Sequence, residues 1–331
     1  MKSKFILIAL LAAISVVSTV ECSSGAPVKI VAADSGWDSV KFHCAVAKFI
    51  VENGFDGYAM ETSAGSSTLN WQAILAGDVD LDIESWTDNI LSYEDDLKNG
   101  DVVELGILVE DSAQGYYVPR YVVEGDPERG IAPMAPDLKT VKDLKNYPHL
   151  FKDPEDPGKG RLYGSIPGWM IDGILYKKYE AYGLDQSYNY FRCGSEAVLF
   201  ASTASAYNLG EPWAGYCYEP SWIAGKLDLI LLSDEPFDPA LYLEGKCEIP
   251  NQALKVVSSK KFASRAPDLV SFFSKYKTGS QKVSQALAYL DETNSSHEEA
   301  AIWFLKSNDS LLDQWLAPEQ AAKIRKALAG K

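Results

Sequence analysis

The sequence lacks the short motifs that mark common catalytic and nucleotide-binding sites. It contains no GxSxG, no phosphate-binding loop and no HExxH, and Gly164-Ser165-Ile166-Pro167-Gly168 does not have the dinucleotide-binding spacing. Histidine is rare, and His43, His149 and His297 are far apart in sequence. Cys44 adjoins His43, but neighbours in sequence do not face each other on a helix. We therefore expect no catalytic activity, no cofactor and no metal site.

Basic residues are in the minority, which limits the classes of partner. The chain has 31 Lys and Arg against 46 Asp and Glu, a formal net charge of −15. Such a surface disfavours nucleic acid and anionic lipid as main partners, and by itself it reflects solubility more than ligand preference. The content of 47% hydrophobic and 23% charged residues is that of a folded globular protein. A chain of 331 residues is too long for one ordinary core, which predicts two lobes.

Long apolar runs are absent except at the N-terminus. Met1-Lys2-Ser3-Lys4 is basic, and the mainly apolar run from Phe5 to Val20 is shorter than the ~20 residues that a membrane span needs. This pattern predicts a signal peptide over residues 1–26 and a mature protein outside the cytoplasm, in the periplasm or on the outer face of the cell membrane. Cys22 stands where a bacterial lipoprotein carries its lipidated cysteine, although Glu21 replaces the small residue preferred before it. A lipid anchor at Cys22 and removal of Cys22 with the signal peptide are the two alternatives.

Cysteine is scarce as well. Beyond Cys22 the chain has Cys44, Cys193, Cys217 and Cys247, and no two of them form a CxxC pair. An even number of cysteines outside the cytoplasm permits disulfide bridges in three connectivities. Buried free thiols are the equal alternative, and the sequence leaves both open.

Apolar periodicity indicates alternating strands and helices in the first third of the chain. Residues 28–33 and 57–61 are predicted strands, and the stretch between them, up to Gly54, has helical spacing. A helix over 66–77 and a strand over 80–86 follow. This rhythm predicts an α/β fold with parallel strands. A further strand is predicted over 116–123, and packing helices are predicted over 263–276, 279–291, 296–306 and 317–328.

Aromatic residues are plentiful in the turns and at the ends of the predicted strands. Trp37 follows the first strand, Trp86 ends a later one, and Trp169 lies in an Ile-Pro-Gly-Trp turn. Tyr216 and Tyr218 lie together in a Gly-Tyr-Cys-Tyr-Glu segment. Ligands of open α/β sheets bind beyond the carboxyl ends of the strands, where such side chains can converge. Aromatic faces suit a quaternary ammonium, which has no N–H to donate and spreads its charge over methyl groups. The alternative is that each ring belongs to the hydrophobic core.

Six short motifs around these aromatic residues resemble those of the glycine betaine-binding proteins of osmoprotectant ABC importers. The resemblance covers nearly the whole chain after the N-terminal segment, and its specificity comes from the motifs taken together. The motifs are Gly36-Trp37-Asp38-Ser39, Ser85-Trp86-Thr87-Asp88-Asn89, Gln114-Gly115-Tyr116-Tyr117-Val118-Pro119, Ile166-Pro167-Gly168-Trp169, Tyr218-Glu219-Pro220-Ser221-Trp222 and Gly225-Lys226-Leu227-Asp228.

The resemblance implies an α/β, two-lobe periplasmic-binding-protein-like fold with a hinge and a ligand cleft between the lobes. Lobe 1 is expected to contain residues 27–117 and 233–331, and lobe 2 residues 118–232, with crossing segments near Tyr117–Val118 and Leu229–Leu231. The implied function is capture of glycine betaine or a related quaternary-ammonium osmolyte outside the cytoplasm and its delivery to the permease of an ABC importer. One alternative is a sensor or chemoreceptor accessory protein for choline or a sulfonium compound. The other is an enzyme that acts on betaine or choline.

The resemblance also implies which rings contact the ligand. Trp86, Trp169 and Tyr218 match the aromatic walls of the family, and Trp37 and Tyr117 are added because of their turn and hinge positions. Tyr218 departs from the family, which commonly has Trp at that position. Tyr keeps an aromatic face and adds a hydroxyl, so the expected ligands extend to a bulkier betaine, choline or a sulfonium analogue.

The carboxylate of a betaine is expected at the start of a helix. The resemblance implies that the backbone N–H groups of Met170 and Ile171, just after the Pro-Gly-Trp turn, hold it. The first N–H groups of a helix have no partner within the helix, and the positive end of the helix dipole attracts an anion.

Overall fold

The computed structural model describes residues 26–331. The predicted signal peptide, apart from its last residue, and the predicted lipid anchor at Cys22 lie outside the described residues. Within residues 26–331, no helix combines the length and the hydropathy that a membrane span requires.

The described residues contain nine strands and fourteen helices. The strands are β1 Val28–Asp34, β2 Tyr58–Ala64, β3 Leu81–Ser85, β4 Val102–Pro119, β5 Gly160–Tyr163, β6 Tyr188–Phe191, β7 Gly215–Glu219, β8 Leu229–Leu231 and β9 Gln252–Ser259. The helices are α1 Asp38–Gly54, α2 Ser67–Ala76, α3 Tyr93–Asn99, α4 Arg120–Glu124, α5 Met170–Ala181, α6 Glu196–Leu209, α7 Trp222–Lys226, α8 Pro239–Tyr242, α9 Phe262–Arg265, α10 Pro267–Phe273, α11 Ser280–Thr293, α12 His297–Ser307, α13 Ser310–Trp315 and α14 Pro318–Ala329. Three 3-10 turns cover Thr87–Asn89, Val141–Asn146 and Leu184–Gln186.

The strands follow the order β2-β1-β3-β9-β4-β7-β5-β6, with β8 paired to β4. In the first lobe β1 is parallel to β2 and β3, and β9 runs antiparallel between β3 and β4. In the second lobe β5 is parallel to β6 and β7, and β4 is antiparallel to β7 and β8. Parallel strands require long crossovers, and the helices α1, α2, α5 and α6 supply them.

The strand β4 belongs to both lobes. Its residues 102–112 pair with β9, its residues 113–117 pair with β7, and its last residues pair with β8. After β8 the chain still contacts the second lobe, because Lys178 of α5 forms a buried ion pair with Asp234. The predicted lobe boundaries at 117/118 and 232/233 stay a prediction. The strand pairing favours a first crossing near Ser112 and a second near Gln252.

Local signals explain where the helices near the cleft begin and end. At α2 the Ser66 hydroxyl accepts a hydrogen bond from the Leu69 N–H, and the helix ends at Gly77 with a φ of 80°. Such a left-handed residue at a helix end is favourable for glycine because it has no Cβ. At α6 the Ser195 hydroxyl caps the first turn through the Val198 N–H.

Most of the predicted elements are confirmed, and two boundaries are wrong. The predicted strand over 116–123 is part of β4, which begins at Val102, and residues 120–124 form α4 instead. The predicted helix over 263–276 is divided at Ala266, because Pro267 cannot continue the hydrogen bonding of α9 and starts α10.

The cysteines of the described residues are free thiols. Cys44, Cys193, Cys217 and Cys247 are all buried and none of them is paired. Burial raises the pKa of the Cys44 and Cys217 thiols, so both stay protonated near neutral pH.

Candidate ligand-binding site

A cavity lies between the two lobes, beyond the ends of strands from both sheets. Trp37 and Trp86 come from the first lobe, and Trp169, Tyr216 and Tyr218 come from the second. We call these five side chains the aromatic cage. This position is the one where ligands of open α/β sheets bind.

Four ring pairs of the aromatic cage pack edge to face, and one pair is stacked. The ring centroids of Trp86 and Tyr218 are 5.8 Å apart at 90°, and those of Trp169 and Tyr218 are 6.1 Å apart at 79°. Trp37 meets Trp169 edge-on at 5.2 Å and 82°. Tyr216 stacks beside Tyr218 with centroids 6.0 Å apart. All five rings line the same cavity, so a cation bound in that cavity lies beside several aromatic side chains at once.

The local sequence places each ring. Trp86 is the first residue after β3, and Trp37 and Trp169 are the N-cap residues of α1 and α5. Tyr216 and Tyr218 are two residues apart on β7, so both side chains lie on the same face of the strand. Gly168 has a φ of 89° and packs against Ser66, where an added Cβ would lie 2.9 Å from the Ser66 Cβ. This close approach brings Trp169 to the first lobe.

A buried carboxyl group orients the two tryptophans of the first lobe. The Oε1 atom of Glu84 accepts hydrogen bonds from Trp37 Nε1 at 3.0 Å, from Trp86 Nε1 at 3.2 Å and from the Ser39 hydroxyl at 2.9 Å. Glu84 is fully buried, and its burial raises the pKa of the carboxyl to about 8. Because both indole N–H groups bind Glu84, the orientation of both rings at the cavity is fixed.

A second buried carboxyl group holds Tyr218. The Tyr218 hydroxyl donates to Oε1 of Glu196, and Oε2 of Glu196 accepts from the Asp38 N–H at the start of α1, at 2.8 Å. Burial raises the pKa of Glu196 to about 8. The Tyr218 hydroxyl is therefore bound to a carboxyl group that itself contacts the other lobe through Asp38.

Three further hydrogen bonds join the lobes around the cavity. Trp169 Nε1 donates to the Ser35 carbonyl at 3.2 Å, and the Thr68 hydroxyl donates to the Gly168 carbonyl at 3.2 Å. The Met170 N–H donates to the Ser67 hydroxyl at 3.2 Å. With Glu196 and Asp38, these contacts describe a closed arrangement of the lobes.

A polar network forms another side of the cavity. The Asn89 Oδ1 accepts from Gln114 Nε2 at 3.3 Å and from the Tyr242 hydroxyl at 2.8 Å, and Gln114 Oε1 accepts from the Tyr216 hydroxyl at 3.0 Å. Asp82 of β3 lines the same cavity. Burial raises the pKa of the Asp82 carboxyl to about 6.

Six of the seven residues predicted from the sequence lie around this cavity. Trp37, Trp86, Trp169 and Tyr218 belong to the aromatic cage, and Met170 and Ile171 line the space beside it. Tyr117 is not brought there by the described structure. It is buried on β4 and its hydroxyl lies 3.5 Å from Oε1 of Glu219.

Several other residues around the cavity are not among the seven predicted site residues. Tyr216 has a visible signal, since it alternates with Tyr218 on one strand. Asn89 and Gln114 lie inside motifs that carry the family resemblance. Glu84 and Glu196 act from behind the rings, and only the three-dimensional contacts reveal them. Among residues 26–331 no cluster of three or more His, Cys, Asp or Glu side chains is arranged to hold a metal ion.

Fold and cavity together define a two-lobe solute-binding protein of the α/β class. Comparison with known proteins agrees, because residues 28–307 match the family of substrate-binding domains of ABC-type glycine betaine transport systems. This match covers most of the chain, and the protein therefore belongs to that family.

Two curated relatives are similar over most of their length. The chain is 26% identical over 249 residues to the trimethylamine N-oxide-binding protein of Pelagibacter ubique, which covers 73% of this chain and 76% of the relative. It is 24% identical over 234 residues to the glycine betaine-binding periplasmic protein OusX of Dickeya dadantii, covering 66% and 67% of the two chains.

A solved structure confirms the predicted fold class. The glycine/betaine/L-proline-binding protein ProX of Borrelia burgdorferi superposes with a TM-score of 0.71 at 19% identity, over 89% of this chain and 99% of that one. The α/β, two-lobe binding-protein fold expected from the sequence is therefore present.

Proposed function

We propose that the protein captures a small methylated ammonium compound in the aromatic cage and delivers it to an ABC importer. The observation that carries this proposal is the convergence of Trp86, Trp169 and Tyr218, contributed by both lobes, on one cavity. The relatives named for glycine betaine and trimethylamine N-oxide support the same ligand class.

The physical basis is the match between ring faces and a methylated cation. Each ring face attracts the cation through its quadrupole and its apolar surface, a contact of ~2 kcal/mol or more when it is desolvated. Trp37, Trp169, Tyr216 and Tyr218 are each at least nine-tenths buried in the closed arrangement. Water is therefore largely excluded, and each contact is strengthened by the low local dielectric.

Capture follows from closure of the lobes. In an open arrangement the rings of Trp86 and Trp37 face solvent on one lobe, and the rings of Trp169 and Tyr218 face solvent on the other. The ligand binds one wall first, and rotation about the strand β4 brings the second wall over it. The interlobe contacts of Trp169 with Ser35 and of Glu196 with Asp38 then form only in the closed state.

The remaining parts of the proposal concern place and partner. The protein acts outside the cytoplasm, after export by the signal peptide, either free or held by a lipid at Cys22. The closed form binds the permease of the importer, and release of the solute needs no covalent chemistry.

Isothermal titration calorimetry tests the proposal with matched ligands. Choline and glycine betaine are compared with 3,3-dimethylbutanol, which has the shape of choline but no charge. We expect at least one of the two methylated ammonium compounds to bind about tenfold or more tightly than the neutral alcohol, because only the cation is attracted by the ring quadrupoles. The proposal is refuted if neither charged compound binds, or if the neutral alcohol binds equally well.

A further inference from the structure

The side chain of Asn89 is held at the cavity wall by its oxygen alone. Asn89 ends the 3-10 turn Thr87–Asn89, lines the cavity and is 6% exposed. Its Oδ1 atom accepts hydrogen bonds from Gln114 Nε2 at 3.3 Å and from the Tyr242 hydroxyl at 2.8 Å. Its Nδ2 atom has no hydrogen-bond partner within residues 26–331, yet this atom is not fully enclosed by protein. The accessible end of the Asn89 amide is therefore its NH2 group.

The neighbouring hydrogen bonds fix the orientation of this amide. The Tyr216 hydroxyl donates to Gln114 Oε1 at 3.0 Å, so the NH2 group of Gln114 is turned toward Asn89. Turning over the Asn89 amide alone would bring two NH2 groups against each other and remove a hydrogen bond. Because both lone pairs of Oδ1 are occupied, Nδ2 is the polar atom that Asn89 can offer to a ligand.

The other side-chain donors around the cavity already have acceptors. The indole N–H groups of Trp37 and Trp86 bind Glu84, and that of Trp169 binds the Ser35 carbonyl. The remaining donors also donate a hydrogen bond each; they are the hydroxyls of Ser67, Tyr216 and Tyr218 and the amide of Gln114. The described residues that line the cavity include no Lys, Arg or His. Among them, the side-chain N–H group that is free to bind an oxygen of a ligand is therefore that of Asn89.

Asn89 also lies close to a ring of the aromatic cage. Its backbone N–H donates to the Trp86 carbonyl at 3.0 Å, which closes the 3-10 turn. Side chains three residues apart in such a turn lie on the same side, and both Trp86 and Asn89 line the cavity. On the other lobe the Met170 N–H, expected to hold a ligand carboxylate, donates to the Ser67 hydroxyl instead. A small ligand can thus place its ammonium beside Trp86 and an oxygen beside Asn89.

We infer that Asn89 is a specificity-determining residue, whose Nδ2 donates a hydrogen bond to an oxygen of the ligand. The ligand then carries a hydrogen-bond acceptor, a carboxylate or N-oxide oxygen, close to its methylated ammonium. A methylated ammonium without oxygen leaves Nδ2 without a partner in the closed cavity, which costs free energy. This inference rests on the proposed function and adds a polar contact to it.

Titration calorimetry with two matched pairs of ligands provides the test. Glycine betaine is paired with ethyltrimethylammonium, in which a methyl group replaces the carboxylate. Trimethylamine N-oxide is paired with tetramethylammonium, in which a methyl group replaces the oxygen. In at least one pair the wild type is expected to bind the oxygen-bearing compound about tenfold or more tightly.

The variant Asn89→Asp then assigns this preference to the amide. It keeps Oδ1 as an acceptor for Gln114 and Tyr242 but replaces the donor by an oxygen. The measurement is made at about pH 8, well above the usual pKa of an Asp carboxyl. The variant should bind the oxygen-bearing compound about tenfold or more weakly than the wild type does, and the oxygen-free compound with equal or greater affinity.

The matched control is Asn99→Asp, the same change at an exposed position at the end of α3 that does not line the cavity. It should leave every affinity unchanged. If circular dichroism shows that Asn89→Asp is unfolded, Asn89→Ala removes the donor without adding charge and should abolish the preference for the oxygen-bearing compound.

Two results would overturn the inference. One is a wild type that binds neither oxygen-bearing compound more tightly than its oxygen-free partner. The other is a folded Asn89 variant that keeps the wild-type preference within each pair. Both results leave the proposed function standing, because they require that methylated ammonium compounds bind. A protein that binds none of the four compounds refutes the proposed function itself.

Discussion

Replacing Trp169 by Ala tests the aromatic cage most directly. Trp169 lies at the centre of the cage, with its ring against those of Trp37 and Tyr218, and it is 9% exposed. The substitution removes a desolvated ring face worth ~2 kcal/mol to a bound cation. It also removes the hydrogen bond from Trp169 Nε1 to the Ser35 carbonyl, which we assign to the closed state and which adds ~1 kcal/mol.

The expected loss is therefore ~3 kcal/mol, or an increase in Kd of about 150-fold. Trp169→Phe separates the two contributions, because it keeps a ring face and removes the indole N–H. We expect Trp169→Phe to raise Kd by about fivefold, corresponding to the hydrogen bond alone. Titration calorimetry with the best-bound methylated ammonium measures both values.

Trp303→Ala is the matched control. Trp303 stacks on Tyr289 of α11 with ring centroids 4.7 Å apart, and it does not line the cavity. Its loss should leave Kd unchanged. Circular dichroism of all three variants shows whether each is folded. If folded Trp169→Ala binds with the wild-type Kd, Trp169 does not contact the ligand and the reasoning about the cage is wrong.

Three further predictions concern buried groups. Tyr218→Phe keeps the ring and loses the contact with Glu196, so Kd should rise by about fivefold with little change in the far-ultraviolet circular dichroism spectrum. The raised pKa of Glu84 means that the folded protein retains a proton that the unfolded chain releases above about 4.5, so the free energy of unfolding should fall between pH 5 and pH 8. Glu84→Gln should make this fall smaller, as measured by thermal unfolding at both pH values. Four free thiols are buried in the folded protein: Cys44, Cys193, Cys217 and Cys247. All four should therefore resist a thiol reagent in the native state and react with it after unfolding.

Each of these predictions has a result that contradicts it. Glu196→Gln keeps an acceptor for Tyr218, and it should therefore weaken binding less than Tyr218→Phe does; the reverse order would remove the assigned role of the hydroxyl. An unfolding profile of Glu84→Gln with the same pH slope as the wild type would show that Glu84 titrates normally. Detection of a disulfide in the native protein by mass spectrometry would contradict the free thiols.

The sequence predicts those parts of the fold that depend on local pattern. The regular apolar spacing of α1, α11 and α14 and the capping residues of α2 specify these helices well. The strand β4 is different, because its register shifts three times against β9 and its alternation of polar and apolar residues is broken. No local pattern reveals such a strand, since its pairing with β9 and β7 comes from distant segments.

The residues of the candidate site also fall into two groups, those that the sequence predicts and those that it does not. Trp86, Trp169 and Tyr218 could be predicted because turns and family motifs carry them. Glu84 and Glu196 could not, because an acidic residue in a strand or in a first helical turn has no local sign of burial. Their role depends on contacts with residues 47 and 158 positions away in sequence, which only the folded chain brings together.

The strand β4 runs without interruption from one lobe into the other, and this bears on the proposed opening of the cavity. Its hydrogen-bonded ladders with β9 and β7 meet near Ser112 and Ala113, with a register shift between Val109 and Ser112. A ladder resists sliding, so the closure proposed above is expected to be a rotation about the peptide units at this junction and at the second crossing near Gln252. A motion restricted in this way leaves little conformational entropy of the lobes to be lost on closure, so more of the contact energy with a captured solute is expected to appear as affinity.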